Sequence, residues 1–98
     1  MKCEDKEIIS SLLLAVTANF QHVRQAVENK EDVELVRAIC LYGLGLVDAV
    51  CLINSDFKEY RTVAADKDDN DVQAFVAGAK ALYDWAHKKG LIADKIPL

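Results

Sequence analysis

The chain has 98 residues, of which 52% are hydrophobic and 29% charged, and its formal net charge is −4. This length accommodates a single domain, 1–98, and excludes two. Sixteen acidic residues against 12 basic ones disfavour direct nucleic-acid binding, which normally needs a basic stripe. One Pro and four Gly provide few turns of the kind that sheet proteins use.

Three cysteines are present, Cys3, Cys40 and Cys51, without CxxC spacing. Cys40 and Cys51 lie in an apolar stretch, where a free thiol behaves as a small hydrophobe. We therefore predict reduced core residues and a cytoplasmic location rather than a disulfide scaffold. Residues 1–7 are rich in acids where a signal peptide needs positive charge, so none is expected.

The first predicted helix runs from about 4 to 28. Its apolar residues recur at intervals of four and three, which predicts one buried seam: Ile9, Leu13, Val16, Phe20, Val23 and Val27. The opposite row is polar apart from Leu14. Asn29 tolerates the left-handed conformation and is expected to end the helix.

The second predicted helix, about 32–53, is apolar on nearly all sides. Its polar strip consists of Glu34, Arg37 and Asp48, and apolar or small residues interrupt even this strip. Such a helix is normally buried nearly all round. Three companion helices of this size cannot cover that much surface, so the C-terminal tail, a partner or a second copy must cover the rest.

Two further helices complete the prediction. A short third helix, about 55–65, has Ser55 as its predicted N-cap. A fourth, about 71–89, is followed by Gly90 in the position of a helix-ending glycine and by a tail, 90–98, that is either docked or frayed. The sequence thus predicts an all-α fold, a small helical bundle of three long helices plus one short helix.

Gly43 and Gly45 lie in the middle of the second helix. They do not resemble a phosphate-binding loop, because the third glycine and the preceding strand are missing. Each costs about 1 kcal/mol relative to alanine in a helix. We therefore expect close approach of another backbone, with a ligand lying over the glycines as the lesser alternative.

Three other residues do not fit the apolar seams. Asp48 must face water, meet a cation or titrate in a pocket, because an unpaired buried carboxylate is costly. Trp85 packs under the tail or marks a contact surface, since Trp is common in interface hot spots. Leu14 is a single apolar residue in a polar row.

No catalytic residue, metal ligand or cofactor is predicted. Asp66, Asp68 and Asn70 match the first positions of a calcium loop, but Asp71 replaces its glycine and Ala77 replaces its bidentate glutamate. No nucleophile–base or phosphate-binding motif is present. Enzymatic activity is therefore less expected than its absence, although a site built from distant residues stays open.

A membrane span is not predicted either. The apolar run 38–53 would extend roughly 24 Å, short of a hydrocarbon core of about 30 Å. Asp48 would also cost about 2.5–3.5 kcal/mol near the membrane centre.

The first functional hypothesis is a non-enzymatic, cytoplasmic protein-interaction domain. It forms a homodimer through the apolar helix 33–53 and acts as a small adaptor or inhibitor of another protein. The interface candidates are Leu14, Leu41, Tyr42, Gly43, Gly45, Asp48, Leu52 and Trp85. The alternative is a small-molecule-binding domain with a pocket between the second and fourth helices, whose polar groups are Tyr42, Asp48 and Tyr83.

Overall fold

A computed structural model describes residues 3–64 and 71–92, with side chains described over 5–61 and 71–92. Four helices follow one another: α1 (Cys3–Glu28), α2 (Val33–Ile53), α3 (Ser55–Ala64) and α4 (Asp71–Lys88). Within these ranges there is no strand. The predicted bundle of three long helices and one short helix is confirmed.

The helices α2 and α4 form the centre of the bundle. Each of them contacts the three other helices, whereas α1 and α3 do not contact each other within the described ranges. The apolar spacing in the sequence predicts one buried side for α4, which consists of Val72, Phe75, Val76, Ala79, Leu82, Tyr83 and Ala86. The structure buries it on several sides, because alanine and glycine let its neighbours come close; its buried residues are Phe75, Gly78, Ala79, Ala81, Leu82, Tyr83, Trp85 and Ala86.

Left-handed residues end both α1 and α4. Gly90 has φ +73°, and the Leu91 N–H donates to the Ala86 carbonyl at 2.8 Å, as expected of a helix-ending glycine. The predicted end of α1 at Glu28 is confirmed, but the left-handed residue that follows it is Lys30 and not Asn29. Asn29 still donates a helical hydrogen bond to Gln25 at 2.9 Å, and Lys30 adopts the positive φ of 56°.

A single residue, Asn54, joins α2 to α3. Its N–H donates to the Val50 carbonyl at 2.9 Å, which closes α2. Its side-chain oxygen accepts from the Phe57 N–H at 3.1 Å, which caps α3. The predicted cap, Ser55, is therefore wrong, because Ser55 already lies inside the helix.

The seam of α1 matches the prediction over most of its length. Ile9, Leu13, Val16 and Val23 are buried, and Phe20 packs partly buried against the same core. Val27 is exposed, so the seam ends one turn before the helix does.

Only one face of α2 is buried by the described chain. That face consists of Val36, Cys40, Gly43, Val47 and Val50. The opposite face is exposed although it is largely apolar. The apolar excess expected from the sequence is therefore present on the surface of the described chain.

At Gly43, side chains from α1 and α4 pack against the backbone of α2. A Cβ atom at this position would lie 2.7 Å from Cδ1 of Phe75 and would also overlap the Asn19 amide. That amide donates to the Ile39 carbonyl of α2 at 2.9 Å. The missing side chain thus lets two helices pack directly on the α2 backbone.

We predict opposite effects for the two glycines of α2 when each is replaced by alanine. Gly43→Ala should lower the free energy of unfolding by about 1–3 kcal/mol, because the new methyl group overpacks the core. Gly45→Ala should raise it by up to about 1 kcal/mol through helix propensity, since a Cβ there meets nothing within 4 Å among the described residues. Urea unfolding at submicromolar concentration measures both. Equal stabilisation by the two substitutions would contradict the packing at Gly43.

Candidate interaction surface

The exposed side of α2 forms a continuous apolar surface, which we call the outer face. Its large members are Leu35, Leu41, Tyr42 and Leu52, which are 47%, 52%, 66% and 89% exposed. Ala38 and Gly45 are also exposed, and Ala49 is half-buried. These residues share one side of the helix because they recur at intervals of three, four and seven.

Gly45 lies at the middle of the outer face. Nothing in the structure lies within 4 Å of the Cβ position that an alanine would occupy there. Helical geometry places it about 200° around the helix from Gly43, which is packed against Phe75 and Asn19. Packing inside the described chain therefore explains Gly43. It does not explain why Gly45 is a glycine.

Charged residues border the outer face on one side, and each pairs within the chain. Asp48 forms an ion pair with Arg61 of α3. Arg37 pairs with Asp71 of α4 at 3.2 Å and with Glu34 at 3.5 Å. Asp48 is exposed, so it lies at the edge of the surface, where it meets both water and a cation.

The surroundings of Arg61 keep it charged at this edge of the outer face. Burial has the largest single effect and lowers the pKa of its guanidinium, but the hydrogen bonds to Cys51 and Asp48 and the charges of these two groups together outweigh burial, so the net effect raises the pKa. Arg61 thus remains a cation beside Asp48, and this pair fixes α3 against the border of the outer face.

The remaining interface candidates lie elsewhere. Gly43 and Trp85 are inside the bundle and contribute nothing to an exposed surface. Leu14 is 74% exposed on α1. It lies about 140° around that helix from Asn19, which contacts α2, so Leu14 does not extend the outer face.

Trp85 packs against α3, which corrects the interpretation of this residue as part of an exposed contact surface. Its ring lies 5.2 Å from the Phe57 ring, centroid to centroid. Its Nε1 donates to the Asp56 carboxylate at 2.9 Å, and Lys89 pairs with the same carboxylate at 3.0 Å. Trp85 is therefore a core residue that attaches α4 to α3; residues 93–98 of the predicted tail lie outside the described chain.

An open cleft of about 420 Å³ lies between α3 and α4, where it is lined by Asp56, Glu59, Tyr60, Trp85, Lys88 and Lys89. Both of its lysines pair with carboxylates. Lys88 contacts Asp84 at 3.3 Å and lies over the Tyr60 ring, 5.2 Å from its centroid. The Tyr60 hydroxyl donates to Asp84. This network connects two helices and leaves no excess of one charge for a ligand.

The three polar groups of the alternative pocket do not meet. Tyr42 points outward on α2, and Asp48 lies at the α2–α3 border. Tyr83 is buried, and its hydroxyl is 2.9 Å from the Thr17 hydroxyl of α1. Burial raises the pKa of Tyr83, against a smaller opposing effect of the Thr17 hydrogen bond, so this phenol stays neutral inside the bundle.

The described cysteines are free thiols. Cys40 is fully buried, and burial, followed by the charge of Asp71, raises its pKa. Cys51 is half-buried and lies 3.5 Å from the Arg61 guanidinium. Over the described ranges, no three His, Cys, Asp or Glu side chains gather as a metal site would require. The calcium-loop positions Asp66, Asp68 and Asn70 lie outside those ranges.

Sequence reasoning missed several residues that matter here. Asn19 is a buried polar residue on the apolar side of α1, and its spacing from Val16 and Val23 could have indicated this. Leu35, Ala38 and Ala49 belong to the outer face but were not singled out. The interval of seven that connects Ala38, Gly45 and Leu52 was the available signal.

Comparisons with protein-family models, curated proteins and solved structures found no match for this chain. By length and composition, α2 is apolar enough to cross a membrane, and 28% of its most apolar window is buried in the bundle. Core helices of soluble proteins and signal sequences can be equally long and apolar, so this feature is weak support for a membrane location.

We predict that Asp56 makes stability depend on acid pH. Hydrogen bonds from Trp85 and then from Lys89 lower the pKa of its carboxyl group. A lowered folded-state pKa contributes stability that is present above the unfolded value, about 3.9, and is lost as the pH falls through the folded value.

Asp56→Asn should therefore make the decrease in Tm between about pH 5 and pH 3 shallower than in the wild type. Trp85→Phe, which keeps an aromatic ring but removes the Nε1 donor, should reproduce part of that change. Thermal unfolding followed by circular dichroism measures it. An unchanged pH profile in Asp56→Asn would show that this carboxylate is not linked to folding.

Proposed function

We propose that this chain is a non-enzymatic protein-interaction domain that forms a homodimer through the outer face of α2. In this role it acts as a small adaptor or inhibitor of another protein. The observation that carries the proposal is the open space at Gly45 in the middle of an exposed apolar surface.

The energetic argument compares the two glycines. Each glycine inside a helix costs about 1 kcal/mol relative to alanine. At Gly43 this cost is offset by the packing of Phe75 and Asn19. At Gly45 the described chain offers no such compensation, whereas a second helix lying close to α2 would provide it.

The arrangement of the exposed residues supports the same conclusion. Single exposed leucines are normal on protein surfaces. Here Leu41, Tyr42 and Leu52 lie on one side of one helix, beside small residues that allow close approach. A standard interface takes about 800 Å² from each partner, roughly an eighth of this chain's 6409 Å² of accessible surface.

A protein partner fits α2 better than a lipid bilayer does. Three attachments hold α2 in the bundle: the Arg37–Asp71 pair, the hydrogen bond from Asn19, and the packing at Gly43. A spanning helix would have to give these up and carry Asp48 into lipid at a cost of about 2.5–3.5 kcal/mol.

Composition supports the remaining parts of the proposal. The net charge of −4 argues for a protein rather than a nucleic acid as the direct partner. The free thiols of Cys40 and Cys51 fit a reducing compartment, and we propose a cytoplasmic location on that basis.

Gly45→Arg tests the proposal. The new side chain enters open space and has good helix propensity, so the fold should be kept while a partner helix is excluded. We expect light scattering to give twice the chain mass for the wild type at micromolar concentration. Gly45→Arg should weaken the dimer at least ~10-fold, or about 1.4 kcal/mol.

Leu14→Arg is the matched control, because it places the same side chain at an exposed position away from α2. It should leave the dimer intact. A wild type that stays monomeric, or a Gly45→Arg variant that still dimerises, would contradict the proposal. Flotation of the wild type with lipid vesicles in place of dimerisation would instead assign the outer face to a membrane.

A further inference from the structure

We infer that the two copies pair α2 with α2 in antiparallel orientation, about a twofold axis at Gly45. This inference rests on the proposed function and specifies its geometry. With the axis at Gly45, Ala38 lies at the level of the second copy's Leu52. Leu41 lies at the level of the second copy's Ala49.

The sizes of the side chains match only in this orientation. Moving outward from Gly45 in steps of four and seven residues, each leucine has an alanine at the equivalent distance on the other side: Leu41 with Ala49, and Leu52 with Ala38. Each of these four levels of an antiparallel pair then contains one leucine and one alanine. Tyr42 and Leu35 lie at the flank of the outer face and take no part in this match. Two helices packed this way keep a constant separation, as layers of alternating large and small residues require.

A parallel pair would lack this match. Leu41 would meet the second copy's Leu41, and Ala38 would meet its Ala38, so the seam would be wide at the leucines and narrow at the alanines. The wide level at Leu41 would be next to Gly45 and would oppose the close approach that this glycine permits.

The charges at the border favour the same orientation. Arg37 and Asp48 lie on the same side of the outer face, and an antiparallel twofold pair brings that side of each copy together. Arg37 then lies about five residues, roughly 7.5 Å, from the level of the second copy's Asp48. A parallel twofold pair would place this side of the two copies on opposite flanks of the seam, so Arg37 and Asp48 would not come near each other.

Exchanging the sizes of two residues within one chain tests the geometry. Ala38→Leu places two leucines at one level, and Leu52→Ala places two alanines there. Each single change should weaken the dimer by about tenfold or more, and the double variant should return to within about threefold of the wild type. Both positions are exposed in the single chain, so circular dichroism should show unchanged folding.

Cysteine crosslinking provides an independent measurement. In a background with Cys3, Cys40 and Cys51 replaced by alanine, a mixture of Leu41→Cys and Ala49→Cys chains should form a covalent dimer on mild oxidation. Leu41→Cys alone should not, because its two thiols would be about 12 Å apart along the helices, beyond the reach of a disulfide.

The outcomes separate this inference from the proposed function. A dimer that crosslinks Leu41→Cys to itself, or in which the double variant is not restored, would overturn the antiparallel geometry and leave dimerisation through α2 standing. The absence of any dimer would overturn both. A chain that is monomeric at full length and dimerises only after residues 93–98 are removed would show that its own tail covers the outer face. This result would also overturn both.

Discussion

The packing at Gly43 is the constraint on which the rest of the structure depends. Phe75 from α4 and Asn19 from α1 occupy the space that a side chain would fill, so this side of α2 must face the interior. Because a helix is rigid about its own axis, fixing Gly43 inward also fixes Gly45 outward. The exposure of the apolar face thus follows from the packing at Gly43.

The sequence predicted the helices well because their ends carry local signals. Acidic residues, capping residues and Gly90 each act on the helix end within one turn, so the neighbouring sequence is sufficient to locate the helix ends. The left-handed residue after α1 and the N-cap of α3 were each misplaced by one residue, since they are Lys30 and Asn54. Assignments of helix ends commonly differ by this much, because several neighbouring residues compete to satisfy the same backbone groups. The depth at which α4 is buried could not be predicted, because small residues permit contact on a side but do not indicate which neighbour uses it.

The candidate surface could be predicted only in part, because local sequence does not indicate which neighbouring helix packs on which side. Hydrophobic periodicity showed that α2 is apolar on too many sides, and Leu41, Tyr42, Gly45 and Leu52 are indeed exposed. It could not show which side faces α1 and α4, so Gly43 was grouped with Gly45. Trp85 was misassigned because its partners, Phe57 and Asp56, lie on α3, and contacts between helices distant in sequence leave no local pattern.

The junction at Asn54 has a consequence for how this fold tolerates insertions and deletions. One residue closes α2 through its N–H and caps α3 through its side chain, so the connection has no spare length. A residue added or removed there would rotate α3 by about 100° relative to α2 and move Phe57 away from Trp85. Change in chain length at this position is therefore incompatible with the core, whereas longer connections elsewhere could absorb it.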